Sequence, residues 1–295
     1  MKTHIQHIAI GALLTLAMLP AARAFTAAED FDSYTAPTTF TNNALTGAAG
    51  AGAAGDGWLN GWRTSTSTGL AQSVGVVNNT PVNSGGNYLS ATITTKSDGT
   101  GKDSTSVARA YDAGGVVGSA TELTIGFDFR VDSIDATNMR YDLFENETRA
   151  TGATSASYNF RAIGGVWNYF DGESLVATTM SFNAGVTYSF SIVLDTVNST
   201  YAFSIDNGTT SVVASDVAFR TAGFATDTAA GSEDGRWLTF NANENNNVLG
   251  QSTTFSLDNI SISTAAVPEP ASAAFLAGLV MLGLASLRRR RATRG

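Results

Sequence analysis

The strongest constraint in this sequence is strict alternation. Leu123, Ile125, Phe127, Phe129 and Val131 alternate with Thr124, Gly126, Asp128 and Arg130. A period of two puts all five apolar side chains on one face of a strand, which a helix cannot do. The pattern recurs at Tyr188, Phe190, Ile192 and Leu194. After a turn at Val197-Asn198-Ser199 it recurs again at Tyr201, Phe203 and Ile205. Asn207-Gly208 suits a tight hairpin turn and leads into Val212-Val213. Further strands are predicted at 70–77, 88–95, 106–111, 139–144, 158–163, 166–170, 238–242 and 255–262. Long helical periodicity is missing from this middle part. Many short strands in one chain predict an all-β fold of two stacked antiparallel sheets. Gly47 to Gly57, Gly223 to Gly235 and Asn241 to Asn247 read as loops, being Gly- and Ala-rich, acidic and Gly-rich, and Asn-dense.

Composition removes several chemistries. The chain has no cysteine, so disulfides do not hold it together. Its two histidines, His4 and His7, lie at the extreme N-terminus. The remainder therefore has no Ser-His-Asp triad, no His-ligated zinc and no His general base. The charge is also uneven. Of the 17 Lys and Arg, seven sit in the two ends, whereas of the 25 Asp and Glu only Glu269 does. That leaves 10 basic against 24 acidic residues between Phe25 and Ala266, a net charge of about −14. Nucleic acid is excluded as a partner on that balance. A neutral polysaccharide fits it better than an anionic one, unless a cation bridges the two.

The ends read as targeting segments. Lys2, the apolar run Ile8 to Leu19, the break at Pro20 and the small-x-small triplet Ala22-Arg23-Ala24 form a signal-peptide pattern with a helical apolar core. The mature chain is expected to begin at Phe25. At the other end, Val267-Pro268-Glu269-Pro270 is followed by an apolar run from Ala271 to Leu287 and then by Arg288, Arg289, Arg290 and Arg291. The prolines cannot continue a helix, so one starts after them. A run of roughly 17 residues is at the short end of what spans a bilayer. The arginines hold its end on the cytoplasmic side. Hydropathy alone fits a plain transmembrane anchor equally well. With its Pro-Glu-Pro triplet, however, the tail resembles the PEP-CTERM sorting signal of bacterial surface proteins. That resemblance implies removal of the tail by the membrane protease exosortase. The expected organisation is residues 1–24 signal peptide, 25–266 β-sandwich domain and 267–295 sorting signal.

A second resemblance spans most of the middle. Glu29-Asp30-Phe31-Asp32-Ser33-Tyr34 opens it, Gly61-Trp62 and Phe127-Asp128-Phe129-Arg130 follow, and Leu257-Asp258-Asn259-Ile260-Ser261-Ile262 closes it. This order is similar to that of concanavalin A-like (laminin-G-like) jelly rolls, in which the first and last strands pair. Glycosidases of that fold carry Glu-x-Asp-x-Glu on one strand, with a nucleophile and an acid/base. Here only Asp142 matches, with Arg140 and Phe144 in the flanking places, and Glu145 and Glu147 are expected in the loop beyond.

Trp167 and Tyr169 share one face of their strand, and Trp237 shares a face with Thr239 and Asn241. Aromatic faces among polar neighbours suit sugar stacking, with Arg140, Asp142 and Asn241 as hydrogen-bonding neighbours. The same rings would equally serve to cover a sheet edge. Asp30 and Asp258 come close if the first and last strands pair, which suits either a structural Ca²⁺ or a solvated acidic pair. The expected function is that of an exported, non-enzymatic, exopolysaccharide-associated module. Two rivals stay open: a polysaccharide lyase or hydrolase on the same fold, and a structural or adhesion protein. Replacing Pro268, Glu269 and Pro270 together by alanine is expected to block processing. Intact mass of the surface-extracted protein should show the native chain without its C-terminal arginines and the variant with them. Equal masses would remove exosortase from the account.

Overall fold

Among the described residues every regular element is a strand, as the alternation requires. The computed structural model describes residues 26–40, 57–59, 61–78, 82, 86–95, 103–112, 122–134, 139–147, 156–221, 235–244 and 250–264. The signal peptide, the tail with its motif residues and arginines, and the expected loops at 47–57 and 223–235 up to their last residue lie outside them, whereas Asn241 to Glu244, expected as loop, are strand because β15 runs on to Glu244. In chain order the strands begin with β1 (Thr26–Glu29), β2 (Thr38–Phe40), β3 (Arg63–Thr66), β4 (Leu70–Val77) and β5 (Tyr88–Thr95). Then come β6 (Asp103–Tyr111), β7 (Glu122–Ile134), β8 (Met139–Asn146), β9 (Ala156–Ile163) and β10 (Val166–Asp171). The rest are β11 (Ser174–Ser181), β12 (Thr187–Asp195), β13 (Thr200–Asp206), β14 (Ser211–Ala218), β15 (Arg236–Glu244) and β16 (Ser252–Thr264).

These strands make two antiparallel sheets. The nine-stranded sheet runs β14-β13-β12-β7-β16-β5-β4-β2, with β1 also on β16. The seven-stranded sheet runs β11-β10-β9-β8-β15-β6-β3. Both sheets are laced by the same move. The chain crosses from β5 to β6 and from β7 to β8, and the last pair inserts between them. Thus β15 lies between β6 and β8, and β16 lies between β5 and β7. This is a two-sheet antiparallel jelly-roll sandwich. The first strand pairs with the last, Ala27 opposite Ile262 and Glu29 opposite Ile260, as the motif order implied.

Alternation then fills the space between the sheets. Leu123, Ile125, Phe127, Phe129 and Val131 on β7 are all buried. They meet inward residues of the other sheet, such as Phe160, Trp167 and Phe240. Phe127 stacks on Phe190 at 4.8 Å and meets Phe240 edge-on at 5.2 Å. Trp167 stands among Phe129, Phe182, Tyr188 and Phe190, with ring centroids 5.1–5.8 Å away. All of this lies in one compact unit, Phe25–Ala265, which carries its own core.

Among the described residues two ion pairs are fully buried in the sandwich. Arg109 of β6 pairs with Glu29 of β1, so this contact joins the two sheets. The Tyr34 hydroxyl donates to the same Glu29 at 3.2 Å. The Arg109 guanidinium lies 4.4 Å above the Trp58 ring and 5.8 Å from Trp62. The second pair is Arg236 with Glu145, both fully buried. Arg236 also donates to the Ser157 hydroxyl at 2.7 Å, and the Tyr111 hydroxyl donates to Glu145 at 2.9 Å. Burial disfavours the Arg236 charge, but Glu145 outweighs this and raises its pKa. Glu145 is therefore a core residue of β8, not a loop residue, because β8 runs two residues further than its alternation suggested.

Breaking one partner of such a pair leaves an uncompensated buried charge, at a cost of about 3–5 kcal/mol. Glu29→Gln is expected to destabilise the protein by that much in urea unfolding. Adding Arg109→Met to a Glu29→Leu chain should recover most of the loss. Strictly additive losses would show that the two side chains do not act as a pair.

Candidate functional site

One register row on the outer face of the seven-stranded sheet is polar from β3 to β10, half-exposed at Ser65 and Arg161 and buried in between. Cross-strand register aligns Ser65, Ser106, Asn241, Asp142, Arg161 and Asn168 in one row from β3 to β10. A second row, about 7 Å along the strands, holds Arg63, Ala108, Thr239, Phe144 and Asn159. The inward neighbours on β15 are Leu238, Phe240 and Ala242, all members of the core. Period-two alternation thus gives β15 an apolar inner face and a Trp-Thr-Asn-Asn outer face.

Asp142 is the hub of this surface. Its Oδ1 accepts from Arg161 Nε at 2.6 Å, and its Oδ2 accepts from Arg140 Nε at 2.8 Å and Asn243 Nδ2 at 2.9 Å. Asp142 is buried, whereas the Arg140 and Arg161 side chains stay 23% and 18% exposed. Beside them Phe170 lies beneath two guanidiniums, Arg161 at 4.9 Å and Arg220 at 4.0 Å. Burial and the like charge of Arg161 push the Arg220 pKa down, with Asp142 opposing them. At the second row, Asn159 is fully buried and neither atom of its amide has a hydrogen-bond partner. The buried Thr239 hydroxyl two strands away also lacks one. Unpaired buried polar atoms are rare in folded proteins and cost about 1–3 kcal/mol each.

The residues singled out in the sequence divide between the faces. Arg140, Asp142 and Asn241 are brought together on the outer face. Trp167 and Tyr169 are not there. Both project inward, Trp167 into the aromatic core and Tyr169 onto Phe203 at 5.0 Å. Trp237 does lie on the outer face, but it is buried against Ala108 and Ala110, with Leu59 packed on them. No aromatic platform of these three rings exists. The reason is that β10 is apolar on both parities, so its pattern could not say which pair faces inward. Arg161, Asn159, Asn168, Thr239, Asn243 and Arg220 were missed as site residues. Their grouping depends on strand register, which alternation leaves open.

Catalytic pairs are absent from this face among the described residues. Its outward strand positions carry one carboxylate, Asp142, and no tyrosine. Acid/base hydrolysis of a glycoside needs two carboxyl groups.

The acidic pair foreseen at the strand ends sits on the other sheet. Asp258 lies directly opposite Asp128 and within electrostatic reach of Asp32 and Asp30. These carboxylates serve local structure. Asp128 accepts from Asn259 Nδ2 at 2.7 Å, Asp30 accepts from the Asp32 N–H at 3.1 Å, and Asp32 accepts from the Asn87 N–H at 2.8 Å. Among the described residues no group of three or more His, Cys, Asp or Glu side chains is placed to hold a metal ion.

The comparisons bear chiefly on the tail. A PEP-CTERM protein-sorting motif matches residues 266–291. The chain is thus marked for export, cell-surface sorting and processing by exosortase. Among the described residues no helix is long and apolar enough to cross a membrane. No curated protein matches the chain. Among solved structures it is similar to a sialidase at 15% identity and TM-score 0.40, covering 68% of this chain and 16% of that one. It is also similar to the catalytic domain of a family 131 glycoside hydrolase from Coprinopsis cinerea, at 14% identity and TM-score 0.40, covering 60% of this chain and 69% of the other. Lectin II from Ulex europaeus is similar at 9% identity and TM-score 0.37, covering 68% and 97%. The chain thus spans about a sixth of the sialidase. At these TM-scores the likenesses carry no functional argument.

The acidic cluster gives a pH signature. Partial burial and the like charges of Asp128, Asp32 and Asp30 push the Asp258 carboxyl up to about 6 from its ordinary 3.8, against the lowering effect of the Asn259 N–H. The folded chain therefore binds this proton more tightly than the unfolded chain. The resulting stabilisation is complete below about pH 3.8 and is lost as pH rises through about 6. Asp258→Asn is expected to raise Tm at pH 7 and to flatten the decline between pH 4 and 6. An unchanged Tm–pH profile would show that burial and the neighbouring carboxylates do not raise the Asp258 pKa.

Proposed function

We propose that the chain is an exported, surface-sorted, non-enzymatic module that associates with polysaccharide through the outer face of its seven-stranded sheet. The observation that carries this reading is the continuous polar row from Ser65 to Asn168 with an unpaired, buried Asn159 amide beside it. An amide offers both a donor and an acceptor, and a sugar hydroxyl matches both. A row across several strands suits a long polymer better than a small molecule. Recognition on this reading is by hydrogen bonds from Asn, Thr and Arg, not by stacking on Trp167, Tyr169 or Trp237. The tail supports release to the surface by exosortase after passage through a membrane-held stage.

A second reading, a matrix or adhesion protein without a glycan site, draws on the burial of Trp167 and Trp237. Asn159→Leu separates the two. Removing an unsatisfied buried amide should raise stability by about 1 kcal/mol in urea unfolding. On the glycan reading the same variant should lose at least tenfold in retention on polysaccharide in pull-downs across neutral and acidic polymers. Stability gained with retention unchanged, or no retention of the native chain on any polymer, would leave the matrix reading standing.

A further inference from the structure

We propose that Arg140, Arg161 and Arg220 form a receptor for the carboxylate of an acidic sugar, so that the polymer held by this face is a polyuronate. The inference rests on the glycan-binding reading and adds the class of its ligand. Three guanidiniums gather here around Asp142, with Glu173 also within electrostatic reach of Arg220, leaving a local excess of one positive charge. That is unusual in a domain with 24 acidic and 10 basic residues.

Arg140 and Arg161 each give only Nε to Asp142, and their Nη groups have no partner among the described residues. The Arg220 guanidinium makes no hydrogen bond or ion pair among them and rests on the Phe170 ring. The cluster is also pre-organised. Asp142 fixes two of the arginines from opposite sides, Asn243 fixes Asp142, and Phe170 supports Arg161 and Arg220 from below. Rigid guanidinium forks with free Nη groups match a planar carboxylate better than a point charge does. The partial exposure of Arg140 and Arg161 leaves their guanidiniums accessible to an acidic sugar reaching this part of the face. The neutral ligand suggested by net charge is thus replaced by an acidic one, because the arginines are concentrated at this face.

The test uses the Phe25–Ala265 unit, which carries its own core. Retention is measured on polygalacturonate, polymannuronate, their methyl-esterified forms and dextran sulfate. The expected result is retention on the free polyuronates at least tenfold above their esters and above dextran sulfate. Arg220→Gln should abolish that preference while the chain stays folded, since the variant removes only the contact with Phe170. Arg220→Lys should restore part of it. Arg130→Gln, which removes an arginine of the other sheet, should leave it intact and so controls for net charge. Equal retention on acid and ester, or preference for the sulfate, would overturn the carboxylate receptor and leave glycan binding in place. Retention on none of the polymers would overturn both.

Discussion

The pairing of β15 with β6 and β8, and of β16 with β5 and β7, closes both sheets at once. Without these two strands each sheet separates into halves with open edges, and the inward faces of β7 and β8 lose their neighbours. The contacts are long in sequence: the side chains of Thr92 and Thr254, 162 residues apart, hydrogen-bond at 3.0 Å. Loops of that length must close before the pairing is rewarded, so the sandwich forms late and as a whole. The sorting motif begins at residue 266, and β16 ends at Thr264. Completion of the fold and presentation of the motif therefore fall on the same stretch of chain.

Strands with one apolar and one polar face were legible to within one to three residues at each end. β4 and β5 match their expected spans, and β15 and β16 extend them at both ends. β11 escaped because it is an edge strand, exposed along most of its length, with no alternation to see. The short β2 and β3 escaped as strands because three or four residues cannot display a period, and β1 was signalled by the motif order alone. The buried charges carried a signal that composition hides. Arg109 occupies the same parity as Val107 and Tyr111, and Arg236 the same parity as Leu238. A basic residue at a core parity implies a buried acid, and Glu29 and Glu145 are those acids.

The site was legible only where one strand could show it. Asp142 with Arg140, and Asn241 with Thr239, follow from the parity of β8 and β15 alone. What makes them a surface is that Asn241, Asp142 and Arg161 stand opposite one another. A slip of one residue in either pairing would dissolve the row. The aromatic candidates failed for a different reason. Trp167 and Tyr169 alternate with Val166 and Phe170, both pairs being apolar, so the larger rings could have taken either side. The core took them, where a tryptophan fills more of the space between two sheets than valine can.

The disagreement between net charge and local charge can be weighed by distance. At physiological ionic strength the screening length is about 8 Å, so acidic residues elsewhere on the sandwich act weakly on a ligand at the arginine cluster. The guanidiniums act at contact, where little solvent intervenes and hydrogen bonds add to the Coulomb attraction. An overall charge of about −14 therefore slows the approach of an acidic polymer more than it weakens the polymer once seated. Added salt relieves that long-range repulsion while it erodes the contact pairs, and the two effects oppose each other. Binding on this face should thus fall less steeply with salt than binding to a uniformly basic surface. That shallow slope is the physical mark of a cationic patch set into an acidic protein.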